Sequence, residues 1–362
     1  MTTTQRVRRA GLATVAALVI GGGGFAIGAA AAEPSTSATP AAATATQNPA
    51  APGPATPGPA SYASVVRQVL PSVVLIRTEN GLGSGVVLDR SGNIVTNAHV
   101  AGNATKFQVQ VAGDTAPRSA RLVGTYPPDD LAVIRADDPS GLQPATFGDS
   151  AKVQAGDVVL AIGNPLGLSG SVTQGIISAT DRAVTEPATN GSPAATLPGA
   201  IQTSAPINPG NSGGALVSTS GQVVGIPTLA AGSPQGGGQA QGIGFAIPSN
   251  LARDIAAQII DTGHVTNSHR AAIGAEVATV LGPDGTAGGV GVVAVTSGEG
   301  AERAGLRAGD VITAVAGAQT TDTAALSQAL AAAEPGDKVT VTISRDGQDR
   351  NVQVTLGELP GS

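Results

Sequence analysis

Short apolar runs separated by turn residues constrain this chain more than any other feature. Residues 72–77, 85–88, 94–96, 107–111, 131–135, 158–162 and 175–179 are such runs, and Gly, Asn, Asp, Ser and Pro fall between them. Strands at this spacing, with no helix-length segments alternating between them, predict an antiparallel barrel or sandwich rather than parallel strand–helix units. The 51 glycines suit the many tight turns this requires. Aromatic residues make up only 2% of the chain and Trp is absent, so Val, Ile, Leu and Ala must fill the cores. Two helices are expected beside these strands. One covers 62–70 and is ended by Pro71. The other covers 249–262, with Leu251, Ile255, Ile259 and Ile260 near one face and Ser249 as its cap. A polar stretch, 261–269, then separates a second domain at 270–359. A length of 362 residues at 41% hydrophobic content leaves room for two such domains and a non-globular remainder.

That remainder is N-terminal. Arg6, Arg8 and Arg9 precede an apolar run, 11–32, whose large residues are Leu12, Val15, Leu18, Val19, Ile20, Phe25 and Ile27. The run has about the 20 residues a helix needs to span a bilayer. Ala30-Ala31-Ala32 also offers the small residues of a signal-peptidase site. Residues 1–32 are therefore a signal peptide or a membrane anchor, and both place the body outside the cytoplasm, because the basic end stays inside. Residues 33–60 are rich in Pro, Ala, Thr and Ser with no large apolar side chain. Such a segment buries no core and is expected to be a disordered linker. As a polyproline helix it would reach roughly 85 Å, at about 3.1 Å per residue. A tether of that reach favours an anchor retained in the membrane.

Composition removes several chemistries. Cysteine is absent, which excludes thiol nucleophiles, thiolate metal sites and disulfides. The three histidines are His99, His264 and His269, and no His-Glu-x-x-His string is present, so a zinc peptidase has no ligand set. Neither a metal nor a cofactor is expected. The formal charge of −6 gives no basic surface for nucleic acid.

Three strings carry chemistry. They are Thr96-Asn97-Ala98-His99-Val100, Asp130-Leu131-Ala132-Val133-Ile134 and Pro209-Gly210-Asn211-Ser212-Gly213-Gly214. Together they set a histidine, an aspartate and a serine in the order His…Asp…Ser, which is the chymotrypsin order and neither the subtilisin nor the α/β-hydrolase one. Acyl transfer by serine needs a base within hydrogen-bond reach, an orienting carboxylate and amide donors for the oxyanion. Ser212 lies among glycines that allow a sharp turn, so it is the candidate nucleophile, with the N–H groups of Gly210 and Ser212 as oxyanion donors. His99 is the candidate base and Asp130 the group that holds its tautomer. His264 and His269 fall in the interdomain connection, which leaves His99 alone within the β-domain. Singly, these strings read as a turn, a structural histidine and an aspartate preceding a strand. In order, they point to a serine endopeptidase. Asp129 adjoins Asp130, but Asp130 stands immediately before the strand-like Leu-Ala-Val-Ile run.

Further strings are Gly81-Leu82-Gly83-Ser84-Gly85, read as a turn ahead of a strand at 86–88, Gly163-Asn164-Pro165, Ile201-Gln202-Thr203, 208–216 and 242–250. With these, the chain resembles the HtrA/Deg family of trypsin-fold serine proteases over about residues 62–359. The resemblance implies a mainly β fold, a chymotrypsin-like double β-barrel protease domain at 61–264 followed by a PDZ domain at 270–359. It matches His99, Asp130 and Ser212 to the family's catalytic positions. It also places Ile207, Leu229 and Ala230 around the specificity pocket. All three are apolar, so cleavage is expected after small aliphatic residues such as Val, Ala or Leu. Ser204, Pro227 and Leu166 depart from the family's usual Asp, Asn and Phe, which bears on loop regulation and substrate preference rather than on the reaction.

In the second domain Arg270-Ala271-Ala272-Ile273-Gly274-Ala275 resembles a PDZ carboxylate-binding loop. Ala272, Ile273, Gly274 and Ala275 would turn backbone amides toward a peptide C-terminus beside a strand edge, and favour an apolar last residue. Residues 301–312 match the family's helix, turn and strand, 323–332 a second helix and 338–344 a late strand. Residues 182–198 and 231–242 are expected to be loops, the first of which relays PDZ occupancy to the oxyanion site in the family. The resemblance further implies a homotrimer. The expected function is an extracytoplasmic endopeptidase acting on unfolded or misfolded polypeptides, without ATP, metal or cofactor. The alternative is a latent or inactive protease serving as a PDZ scaffold or chaperone.

Overall fold

The computed structural model describes residues 61–79, 81–164, 170–186, 195–208, 210–232, 239–282 and 285–360. The expected anchor and linker at 1–60, and Leu166, lie outside them. The described residues belong to one compact unit. Helix α1 (Tyr62–Val69) opens on Ser61, whose hydroxyl accepts from the Ser64 N–H, and a single 3₁₀ turn through Pro71 closes it. Among the described residues no helix is long and apolar enough to cross a membrane.

Six antiparallel strands then close a first barrel: β1 (Val73–Arg77), β2 (Leu82–Val87), β3 (Asn93–Thr96), β4 (Lys106–Val111), β5 (Arg118–Tyr126) and β6 (Leu131–Ala136), in the order β1-β2-β3-β6-β5-β4. The short helix α2 (Ala98–Ala101) follows β3. A second closed barrel is formed by β7 (Val158–Gly163), β8 (Ser171–Glu186), β9 (Ala195–Thr203), β10 (Ala215–Ser218), β11 (Val223–Gly232) and β12 (Gln239–Pro248).

The continuous apolar runs have a packing cause. On β6, Ala132 and Ile134 face the interior of the first barrel, while Leu131 and Val133 join a core shared with α1, the second barrel and helix α3 (Ser249–Thr262). On β7, Val159 and Ala161 fill the second barrel and Leu160 and Ile162 face the shared core. A strand buried on both faces has no polar alternation to show.

Several expectations are corrected. Ser249 is not the cap of α3 but its first residue, and its hydroxyl donates to the Gly148 carbonyl at 2.9 Å. Residues 82–85 belong to β2 rather than to a turn. The expected loop at 182–198 is largely the β8–β9 hairpin, in which Val184 pairs with Leu197, and only 187–194 lies outside the described residues. The expected loop at 231–242 likewise shrinks, because β11 runs to Gly232 and β12 begins at Gln239.

The chain continues through β13 (Ala271–Ala272), β14 (Ala275–Leu281), β15 (Ala287–Val295), α4 (Gly300–Arg303), β16 (Val311–Val315), β17 (Ala318–Gln319), α5 (Thr323–Leu330), β18 (Lys338–Arg345), β19 (Gln348–Thr355) and β20 (Gly357–Glu358). The sheet order is β14-β15-β16-β18-β19, so β14 is an edge strand. This sheet has its own core, including Val290, Ile312, Leu326, Val341, Ile343 and Val354. The architecture is the expected one: mainly β, a trypsin-like double barrel followed by a PDZ domain.

Candidate active site

Asp130 sits where a 3₁₀ turn, Pro127–Asp129, meets β6. It adopts left-handed geometry at φ 51°, a conformation non-glycine residues seldom take. The turn is held by the Asp130 carbonyl, which accepts from the Ala98 N–H at 3.0 Å and from Asn97 Nδ2 at 3.1 Å. Those two donors start α2, the helix that carries His99, so one carbonyl ties Asp130 to that helix.

The Asp130 side chain, 3% exposed, then receives three donors. The His99 N–H reaches Oδ1 at 2.9 Å, while His99 Nδ1 and Thr228 Oγ1 reach Oδ2 at 2.9 Å and 2.5 Å. A carboxylate only accepts, so the imidazole proton lies on Nδ1 and Nε2 is left as the basic nitrogen. His99 remains 26% exposed.

Ser212 lies between β9 and β10, across the barrel junction. Its hydroxyl donates to the Thr228 carbonyl at 3.1 Å. Thr228, only 4% exposed, therefore touches Asp130 with its side chain and Ser212 with its backbone. Sequence reasoning missed it, since a threonine inside a β11 run carries no local signal. Gly210 and Gly213, at φ 104° and 78°, supply the backbone freedom this turn needs.

The two adjacent aspartates are separated by partner. Asp129 is fully buried and meets Arg270, whose Nη1 donates to its Oδ1 at 3.0 Å and to the Pro128 carbonyl at 2.6 Å. Burial pushes the Asp129 carboxyl up to about 6, with Arg270 pulling the other way. His264 and His269 lie in the connection after α3, and His269 Nε2 pairs with Asp254 of that helix at 3.2 Å.

Of the expected specificity residues, Ile207 is buried and packs against Gly244, where any β-carbon would fall 2.4 Å from its Cγ1. Leu229 and Ala230 pair through their backbones with Phe245 and Gly244 on β12. Ile207 and Ala230 thus meet at Gly244, a glycine that sequence reasoning did not single out, with Leu229 pairing beside it. In the second domain Ala272, Ile273, Gly274 and Ala275 line a cleft of about 390 Å³ between β14 and α5, together with Leu326 and Leu330. Pro198 of β9 and Arg270 also border it. Gly274 turns at φ 78°, and its carbonyl and that of Ile273 are held by the N–H groups of Thr296 and Ala301.

The trypsin-like peptidase domain family matches residues 83–226 and the PDZ domain family residues 265–356. The periplasmic pH-dependent serine endoprotease DegQ of Escherichia coli is 36% identical over 330 residues, which cover 82% of this chain and 70% of DegQ. The serine protease PepD of Mycobacterium tuberculosis is 39% identical, with 82% and 66% covered, and the Escherichia coli periplasmic serine endoprotease DegP 39% identical, with 76% and 56% covered. The chain thus spans little more than half the length of DegP. Among solved structures, the HtrA-type protease AlgW with decapeptide superposes with a TM-score of 0.54 at 34% identity, over 83% of this chain and 99% of that one.

Proposed function

Because this chain belongs to the HtrA family of serine proteases, we propose that it cleaves unfolded or exposed polypeptides by acyl transfer through His99, Asp130 and Ser212. The observation that carries the reading is the buried Asp130 carboxylate, which receives His99 Nδ1 and Thr228 Oγ1 on one oxygen. Ser212 attacks the scissile carbonyl, His99 Nε2 takes its proton and later returns it to the leaving amine, and Asp130 stabilises the imidazolium in between. The Gly210 and Ser212 N–H groups receive the oxyanion. Ile207, Leu229 and Ala230 bound an apolar pocket for the residue before the cut. Residues 61–264 carry this chemistry, and 270–359 bind apolar protein C-termini through the loop 272–275. The periplasmic relatives and the apolar N-terminal run support action outside the cytoplasm, with the N-terminal segment as membrane anchor. Tyr62, Val172 and Ile176 form an exposed apolar patch, bridged by Gln174 to the Tyr62 hydroxyl, which suits the contact of a homotrimer.

The test is chemical. A biotinylated fluorophosphonate should label Ser212 and stop degradation of an unfolded protein such as reduced casein. The cut sites should follow Val, Ala or Leu. Label on another residue, or dominant cleavage after Lys or Arg, would refute the assignment of nucleophile or pocket respectively. The mass of the labelled protein by light scattering should be that of a trimer.

A further inference from the structure

The segment Gly81–Gly85 takes no part in the chemistry above, yet Ser84 within it is fully buried and joins three segments. Its hydroxyl donates to the Gly210 carbonyl at 2.6 Å and accepts from the Asn164 N–H at 2.8 Å. Its own N–H donates to the Ser212 carbonyl at 2.9 Å, and its carbonyl accepts from Thr96 Oγ1 at 2.7 Å. Ser84 lies on β2, in the barrel that carries His99 and Asp130, whereas Gly210 and Ser212 belong to the other barrel.

We infer that Ser84 is a positioning residue that fixes the oxyanion turn of Ser212 against the barrel bearing His99. The inference rests on the active-site reading above. In a trans peptide the carbonyl and the N–H point in opposite directions, so fixing one fixes the other. Three consecutive peptide planes are held here. In the plane joining 210 to 211, the Gly210 carbonyl is held by Ser84 Oγ and the Asn211 N–H by the Asn208 carbonyl. In the plane joining 212 to 213, the Ser212 carbonyl is held by the Ser84 N–H and the Gly213 N–H by the Pro227 carbonyl. Between them, the Asn211 carbonyl accepts from the Gly214 N–H at 2.9 Å, which turns the Ser212 N–H to the opposite side. Ser84 thus grips the planes before and after the one that presents an oxyanion donor.

The contact leaves little slack. A β-carbon on Gly213 would come within 2.2 Å of the Ser84 carbonyl oxygen and 2.4 Å of Thr96 Oγ1, so the turn lies directly on β2. Without the Ser84 hydroxyl, the Gly210 carbonyl and the Asn164 N–H lose a buried partner, and rotating the 210–211 plane is the way to recover one. That plane joins the two that carry the Gly210 and Ser212 N–H groups, so its rotation disturbs the aim of both donors when the oxyanion forms and leaves the apolar substrate pocket as it was. The signature is therefore a loss in kcat rather than in KM.

The experiment compares wild type with Ser84→Ala, Ser84→Cys and Ser212→Ala on a chromogenic peptide with Val before the scissile bond. Rates are divided by the concentration of sites that a fluorophosphonate titrates, so unfolded protein does not count. Ser84→Ala should lower kcat about tenfold to a hundredfold with KM within about twofold. Affinity for a peptidyl boronic acid, which forms a tetrahedral adduct, should fall with kcat, while affinity for the matching peptide acid should hold. Ser84→Cys keeps the volume but is a weak donor, so it should show the same split and carries the test if Ser84→Ala does not fold. Wild-type kcat per titrated site together with wild-type boronate affinity would overturn the inference and leave Ser84 a packing residue. Activity retained in Ser212→Ala would instead remove the active-site reading on which it rests.

Discussion

In the Asp130→Asn variant kcat is expected to fall by about 10⁴-fold, whereas Asp129→Asn should stay within about threefold of wild type. The difference follows from what each side chain touches. Asp130 Oδ1 accepts from the His99 N–H, and an asparagine oxygen keeps that bond. Its amide NH₂ then occupies the Oδ2 position, facing His99 Nδ1 at 2.9 Å. Two donors cannot share that contact, so the imidazole proton moves to Nε2 and the ring can no longer take a proton from Ser212. Thr228, which donates to the same oxygen, is left facing a donor as well. Asp129 has none of these partners, because its carboxylate bonds to Arg270. Kinetics of both variants on one peptide substrate decide the matter. Equal losses would mean that the aspartates act together and that the assignment of the acid is wrong.

The legibility of this chain in its sequence tracks the range of the forces involved. Strands β1, β6 and β7 stand out as apolar runs because both of their faces are buried. β5 does not, since it mixes buried Ala120 and Tyr126 with the exposed Arg121 and half-buried positions between. The β8–β9 hairpin reads as a loop because its Ala, Pro and Thr residues carry little hydrophobicity, and its pairing comes from the ladder between strands. His99, Asp130 and Ser212 can be singled out as candidates because each lies in a distinctive string. Thr228 and Ser84 are not, since their roles rest on contacts with residues 98 and 126 positions away. The same holds for Asp129, whose partner Arg270 follows 141 positions later. The local window singles out Asp130, which stands immediately before the Leu-Ala-Val-Ile run, but nothing in it shows that Asp129 will meet an arginine.

That pair carries the second large effect. Replacing Arg270 by Met leaves Asp129 as a buried carboxylate without its cation, and such losses cost about 3–5 kcal/mol of stability. The charges around it are Arg270 and His269, with the phenol of Tyr126 also close, pushed up to about 12 chiefly by burial. In the wild type burial pushes the folded Asp129 carboxyl up to about 6, against an ordinary value of 3.8. The native state therefore binds its proton more tightly than the unfolded chain. This contribution lowers stability as pH rises from about 4 to about 6, by about 3 kcal/mol in all, and is level above that. Without Arg270 both its charge and its hydrogen bond stop opposing the upward shift, so the folded carboxyl titrates higher and the decline continues above pH 6. The variant should then be strongly destabilised at about pH 8 and much less so at about pH 5, where Asp129 holds its proton. Urea unfolding at the two pH values measures this, and the double variant Asp129→Asn/Arg270→Met should recover most of the loss at the higher one. A loss equal at both pH values would assign the work of Arg270 to its bond with the Pro128 carbonyl and to packing. A loss that follows the Asp129 proton would assign it to charge, placed one residue before Asp130, which contacts His99 Nδ1.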